Sequence, residues 1–298
     1  MKSTYCERLT RRAFLVQGTL VVSGAFAIAE VQSSALKIGL FTDIHYDEKE
    51  HHGNRYFRES PAKLAAAAED FEKHQIDFLV ELGDLIDSSE SPEADKKYLQ
   101  TINDSLKRIS KRRYYVIGNH CVATLTKDEF LSEIGQEKSY FSFDSHGYHF
   151  VVLDACFGQD GIPYGRGSNK DWKDTKIPDA ELDWLKSDLA ETHLPGVVFL
   201  HHRLDMENDE AHTVKNADKV RAVLEKSKKV RLVLQGHDHR GGYKEIEGIS
   251  YCTLSAVIEG SGLENNSFSV LELTEQGDIR LHGFCKQKSR TIISGDIK

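Results

Sequence analysis

Cysteine is sparse and unpatterned here, with five residues among 298 and no two of them in a Cys-x-x-Cys spacing. That excludes the paired-thiolate zinc modules and the dithiol redox motifs. Blocks of like charge are missing as well. Lys and Arg number 39 against 47 Asp and Glu, for a net charge of −8, and no run of five like charges occurs. Without a basic stripe the chain lacks the electrostatic footprint of a nucleic-acid binder, so no nucleic-acid partner is expected. Internal repeats and low-complexity linkers are also absent, which argues for one folded domain after the N-terminal segment.

The composition itself is ordinary for a soluble globular domain, 39% hydrophobic and 29% charged. It supports a sizeable core. The first thirty residues stand apart, because Lys2, Arg8, Arg11 and Arg12 precede an uncharged stretch over 13–29. This is the layout of a targeting segment. Its Thr10-Arg11-Arg12-Ala13-Phe14-Leu15 resembles the bacterial twin-arginine export signal, and Ala27-Ile28-Ala29 offers a small-x-small cleavage pattern. Residues 1–30 are thus expected to direct export, to the periplasm in a bacterium, with transient contact to the export machinery. The alternative is an uncleaved membrane anchor, although Gln17, Gly18, Thr19, Ser23 and Gly24 make the stretch weakly apolar. Loss of the segment would remove Cys6 and leave Cys121, Cys156, Cys252 and Cys285, best read as mostly small buried apolar residues.

From residue 36 onward, short apolar β-rich runs alternate with helical patterns, the signature of βαβ units and a largely parallel sheet. Strands are predicted at 36–41, 78–82, 114–117, 197–200 and 230–234, with helices at 60–73, 94–110, 179–191 and 215–226. Ser60-Pro61 reads as an N-cap followed by proline at the first helical position. A hairpin is predicted from 139–143 to 148–154, turning through Ser145-His146-Gly147, and a long loop follows over 156–178. Further strands are predicted around Tyr243 and Tyr251 and at 268–273 and 279–284.

Five polar segments follow predicted strands: Asp43-Ile44-His45, Gly83-Asp84-Leu85-Ile86-Asp87, Gly118-Asn119-His120, His201-His202 and Gly236-His237-Asp238-His239. Ligands of open α/β sheets bind at the carboxyl ends of strands, so these distant segments are expected to share one crevice. In extended chain, side chains two apart point the same way, which would let Asp43 and His45 grip one ion and place His237 beside His239. Carboxylate, imidazole and amide oxygen without thiolate suit Mn, Fe or Zn.

Taken in order, the five segments resemble the motifs of the calcineurin-like metallophosphoesterases. The run from Gly236 to Tyr243, Val257-Ile258-Glu259 and Arg55-Tyr56-Phe57-Arg58 is similar to the manganese-dependent ADP-ribose/CDP-alcohol diphosphatases. The resemblance implies a four-layer α/β/β/α sandwich over about 36–285 and two divalent or trivalent metal ions. It places Asp43, His45, Asp84 and His239 on the first ion. Asp84 would bridge to a second ion held by Asn119, His201 and His237. Such a pair lowers the pKa of a shared water, aims the hydroxide in line with phosphorus and neutralises charge on the equatorial oxygens. His120 would then serve as proton donor or electrostatic stabiliser for the leaving oxygen, with Asp87 as its orienting partner.

The implied reaction is hydrolysis of a phosphodiester or pyrophosphate bond in a small phosphorylated substrate, with a nucleotide conjugate as one candidate. A phosphomonoesterase and a metal-loaded protein that only binds a phosphate ligand are the alternatives. Arg55, Arg58, Arg203 and Arg240 are candidates to grip phosphate, and Tyr56-Phe57 to stack a base or sugar. Two details depart from the family. Cys121 stands where Asp or Glu usually follows the catalytic histidine, and His202 leaves open which of the pair 201/202 is the ligand. Oligomeric state is not legible.

Overall fold

The computed structural model describes residues 35–166, 168, 171–206 and 211–292. The N-terminal segment, with its twin-arginine and cleavage patterns, lies outside the described residues.

Two six-stranded sheets form, both mixed where the βα rhythm suggested largely parallel pairing. In the first, β1 (Leu36–Phe41), β2 (Phe78–Glu81) and β3 (Arg113–Tyr115) run parallel. Beside β1 lie β10 (Ser267–Leu273), β11 (Ile279–Cys285) and β12 (Arg290–Ile292), each antiparallel to its neighbour. The second sheet has a parallel centre of β5 (Tyr148–Val152), β6 (Gly196–Phe199), β7 (Val230–Gln235) and β9 (Ile249–Ser255). Its edges are the antiparallel β4 (Phe141–Ser145) and β8 (Arg240–Ile246). The C-terminal strands depart from parallel pairing because β10 lies antiparallel to β1 across more than 200 residues, a choice local periodicity does not encode.

Burial explains the near-continuous apolar runs of the central strands, since both faces of each sheet are covered. On β5, Phe150 and Val152 point between the sheets while Val151 points outward, and β6 repeats this with Val197 and Phe199 inside and Val198 outside. From the first sheet, Leu36, Ile38 and Leu40 meet them in the same central layer. The outer face of the first sheet packs on α1 (Ser60–His74), α2 (Pro92–Ile109) and α3 (Lys127–Ile134) through Leu64, Phe71, Leu99, Ile102 and Phe130. The outer face of the second packs on α4 (Asp179–Glu191) and α5 (Ala217–Ser227) through Leu182, Leu185, Val220 and Leu224. The layers are therefore α/β/β/α, as the resemblance implied.

Local chemistry accounts for most element ends. The β4–β5 hairpin turns on His146 and Gly147 with φ of 48° and 78°, a two-residue turn whose positive dihedrals match strand twist. Helix α3 escaped the sequence reading, yet Thr126 and Glu129 form a reciprocal capping box at its start. Ser60 is not the N-cap expected of it: it lies inside α1, and its hydroxyl donates to the Ile44 carbonyl at 2.6 Å. That bond ties the helix to the first polar segment.

Candidate metal centre

All five polar segments emerge just beyond the C-terminal ends of β1, β2, β3, β6 and β7, so residues from both sheets meet at one edge of the sandwich. They do not arrive there by strand alternation. Asp43, His45, Asp84 and His237 have φ of 52°, 45°, 61° and 67°, in the left-handed region rather than the extended one. Each such non-glycine residue costs of order 1–3 kcal/mol and persists only where its surroundings over-determine it. Here Asp43 N donates to Gly83 O at 3.0 Å, His45 N to Asp84 O at 2.8 Å, and Ile258 N to Asp43 O at 3.1 Å. The turns leave no room for side chains beside them. A Cβ on Gly118 would lie 2.1 Å from Asp84 Oδ1, and one on Gly236 2.0 Å from Thr42 Oγ1.

Two clusters result. In the first, His45 Nε2 lies 3.6 Å from Asp43 Oδ1 and 3.2 Å from His239 Nε2, and His239 Nε2 lies 3.4 Å from Asp43 Oδ1. In the second, His201, His202 and His237 converge. Asp84 Oδ2 stands between them, 3.6 Å from His45 Nε2 and 3.2 Å from His201 Nε2. His237 and His239 thus separate into different clusters, a correction to the expectation that their spacing keeps them together. His201 is the member of its pair set against Asp84, while the His202 ring lies behind, 4.4 Å from that of His237.

Three imidazoles are oriented from outside. His45 Nδ1 meets Asp87 Oδ1 at 2.9 Å, His239 Nδ1 meets Glu259 Oε1 at 2.6 Å, and His201 Nδ1 donates to the Leu82 carbonyl at 2.8 Å. Each engagement turns an Nε2 inward, the arrangement that fixes tautomer and ring direction in metal-binding histidines. Glu259 is itself held: Asn54 Nδ2 donates to it at 2.8 Å, and the buried Lys63 ammonium donates to the carbonyls of Val257 and Gly260, each at 2.7 Å.

The residues fit a pair of cations. Asp43 Oδ1, Asn119 Oδ1 and His201 Nε2 are buried and have no hydrogen-bond partner among the described residues. Orphaned atoms of this kind cost about 1–3 kcal/mol each unless something satisfies them, and a bound cation would. Nitrogen and oxygen donors without sulfur favour Mn, Fe or Zn. Electrostatics agree. Burial pushes the Asp84 carboxyl up, but the imidazoles of His201 and His120 outweigh it and hold the group below the ordinary carboxylate range. Burial, helped by the charge of His201, pulls His237 down to about 3, which keeps it a neutral ligand.

His120 lines a cavity of about 220 Å³ together with His45, Arg55, Asp84, Asn119, His237 and His239, and it also approaches His45 and Asp84 closely enough to form a further group with them. Its Nδ1 is 2.9 Å from Asp87 Oδ1, although off the line of a hydrogen bond. Cys121 does not take part: it is buried in the apolar core beneath α1–α3, and burial pushes its thiol well up. Asp87 fills the place beside His120 instead.

Of the candidate arginines only Arg55 lines the cavity, with Nη1 4.0 Å from Asp87 Oδ1. Arg58 is turned to Glu50 and the Glu48 carbonyl, Arg203 is forked on Asp205 and reaches Asp238, and Arg240 holds Asp238. Their expected grip on phosphate is corrected accordingly. So is the stacking role of Tyr56-Phe57, because Phe57 is buried with Ala256 and Ile258, and Tyr56 stacks on His51 with centroids 5.0 Å apart. Sequence reasoning missed Trp172 and His212, which also line the cavity, and the partnership of Glu259 with His239. Neither Trp172 nor His212 belongs to a recurring pattern, so only the fold discloses them.

A four-layer sandwich carrying paired Asp/His clusters at one edge defines a metal-dependent phosphoesterase. The chain matches the family described as Calcineurin-like phosphoesterase over residues 36–241, and it belongs to that family. It is similar to the manganese-dependent ADP-ribose/CDP-alcohol diphosphatase of Oryza sativa subsp. japonica, 25% identical over 286 residues, covering 80% of this chain and 89% of the relative. The protein of the same description from Arabidopsis thaliana is 25% identical over 252 residues, covering 69% of this chain and 79% of its own length. Among solved structures, a dimetal phosphatase from Danio rerio superposes with a TM-score of 0.77 at 22% identity, covering 88% of this chain and all of that one (100%).

Proposed function

We propose that this phosphoesterase hydrolyses a phosphodiester or pyrophosphate bond in a small phosphorylated substrate, a nucleotide conjugate being the favoured kind. Asp43, His45, Asp84 and His239 would hold one ion, and Asp84, Asn119, His201 and His237 the other. The carrying observation is Asp84 Oδ2, placed between the two imidazole clusters and within 3.6 Å of each. Bound there, two cations would acidify a water and neutralise charge developing on phosphorus oxygens.

The remaining roles fall to this chain's own groups. His120 lines the cavity with Nδ1 toward Asp87, which leaves Nε2 to give a proton to the leaving oxygen. Arg55, at the same cavity, can hold a second phosphate or the diester's free oxygen. The similarity to diphosphatases supports a phosphorus that carries two ester or anhydride substituents, as in a diester or a pyrophosphate. Comparing kcat/KM for ADP-ribose, CDP-choline, a cyclic nucleotide and a simple monoester, with Mn, Fe and Zn each supplied, tests this reading. A monoester at the top of the ranking under every metal would replace it with the phosphomonoesterase alternative, and no turnover of any would leave a phosphate-binding protein.

We also propose that residues 36–285, with β12 completing the first sheet beyond them, act as one catalytic domain exported by way of residues 1–30. The arginine pair at 11–12 and the small-x-small site at 27–29 support this. No helix among the described residues is long and apolar enough to cross a membrane. Changing Arg11 and Arg12 together to Lys should retain the precursor in the cytoplasm, and continued export would count against the twin-arginine route.

A further inference from the structure

Among the described residues Trp172 is the one large aromatic side chain that lines the cavity, and 39% of it is exposed. An exposed indole needs a reason, because a ring of this size gains about 1.5–3 kcal/mol or more when buried. Its neighbours at the cavity are imidazoles, and the Lys173 ammonium lies over the ring, 5.4 Å from its centroid. The ring packs edge-on to His237 with centroids 5.5 Å apart at 71°, and to His212 at 6.4 Å and 62°. The segment that carries it is pinned from below: Tyr164, itself 4% exposed, donates its hydroxyl to the Asp171 carbonyl at 3.2 Å. Asp174 N closes a turn on that same carbonyl at 3.0 Å, so Trp172 stands at the turn's apex.

The cavity is therefore asymmetric. Arg55 charges one part of it, near Asp87 and Glu259, whereas Trp172 and His212 line the part beside His237. A phosphate seated on the metal clusters would have its anionic remainder drawn to the guanidinium and its uncharged organic group directed to the indole. A planar ring is the group that gains most there, since it can stack or meet the indole edge to face. The chain's other tryptophan, Trp184, packs on Tyr140 and does not line this cavity.

We propose that Trp172, backed by His212, forms a subsite for the aromatic ring of the substrate's organic group, either a nucleobase or an aryl ester. This rests on the phosphoesterase reading of the adjoining clusters. It assigns ring recognition to the long loop after β5 and not to the Tyr56-Phe57 pair.

The test uses the metal-loaded full chain and two matched ligand pairs, 5′-AMP with ribose 5-phosphate and phenyl phosphate with methyl phosphate. Dissociation constants are measured by calorimetry for the parent, Trp172→Phe and Trp172→Ala. A ring should improve affinity about tenfold in at least one pair, an advantage kept by Phe and lost in Ala. Advantage in the first pair alone assigns a nucleobase, and in the second alone an aryl group. Quenching of emission by the ring-bearing ligand should disappear in Trp172→Phe. Equal affinities within both pairs, or a ring advantage that survives in Trp172→Ala, would overturn the subsite while ringless phosphates still bind. Failure of all four ligands to bind would remove the phosphate site itself, and the subsite with it.

Discussion

Asp87 Oδ1 lies 2.9 Å from His120 Nδ1, and the same oxygen lies 2.9 Å from His45 Nδ1. One carboxylate thus stands behind both a proposed metal ligand and the proposed proton donor. Its other oxygen receives the Lys49 ammonium. Burial pushes the Asp87 carboxyl up, but the two imidazoles outweigh it and keep the group ionised, as an orienting base must be. Replacing Asp87 with Ala should therefore damage two functions together. Affinity for the metal at the Asp43/His45/His239 cluster should fall about 10–100-fold, with turnover falling beyond the loss of metal. Titration of the chelated protein with manganese, followed by kcat at saturating metal, reads both. Unchanged affinity would mean that His45 holds its orientation without Asp87.

His120→Ala should behave differently. Because this side chain lines the cavity and neither proposed ion depends on it as a ligand, its loss should lower turnover about 100-fold while metal content stays near that of the parent. The deficit should shrink for nitrophenolate, which departs without a proton. An equal deficit for good and poor leaving groups would favour charge stabilisation over proton donation.

Much of this centre was legible because a dinuclear site needs several polar residues of few types, each next to a strand end, and the order of Asp43, Asp84, Asn119, His201 and His237 carries that requirement. The reason they converge was read wrongly. Alternation along a strand was expected to aim Asp43 and His45, whereas left-handed turns with φ of 52° and 45° do so. Dihedral sign at Asp and His is not visible in composition or period. Trp172, His212 and the Lys63–Glu259 support were illegible for another reason. They act through contacts across long sequence separations, as in the 194 residues between Lys63 and Val257.

Glycine at 118 is a steric requirement that a conservative change should expose. With a methyl group due 2.1 Å from Asp84 Oδ1 and 2.3 Å from Asp84 N, Gly118→Ala must displace the carboxylate shared by both clusters. A loss of about 1–3 kcal/mol in stability is expected from the overpacking, together with loss of metal from both sites. Chemical denaturation and metal analysis of the purified variant check this. Retention of two ions per chain would show that the loop yields without moving Asp84.

The last expectation lies far from the site and concerns pH. His149 on β5 places Nδ1 2.6 Å from Asp144 Oδ1 on β4 and Nε2 2.8 Å from Asp188 Oδ2 on α4, joining the edge of the second sheet to the helix that covers it. The Asp188 carboxylate raises its pKa, Asp144 adds to the rise, and burial opposes both. A group whose folded pKa exceeds its unfolded value of about 6.5 stabilises fully below that value and loses the contribution as pH climbs through the folded pKa. His149→Gln should therefore cost most at pH 6 and progressively less toward pH 9. The difference should be about 1 kcal/mol, the order of one charge-assisted hydrogen bond and roughly 2–4 °C in melting temperature for a chain of this size. Measuring parent and variant side by side at each pH cancels groups common to both. A penalty that stays constant from pH 6 to pH 9 would mean that His149 acts here by shape and neutral hydrogen bonding, without its charge.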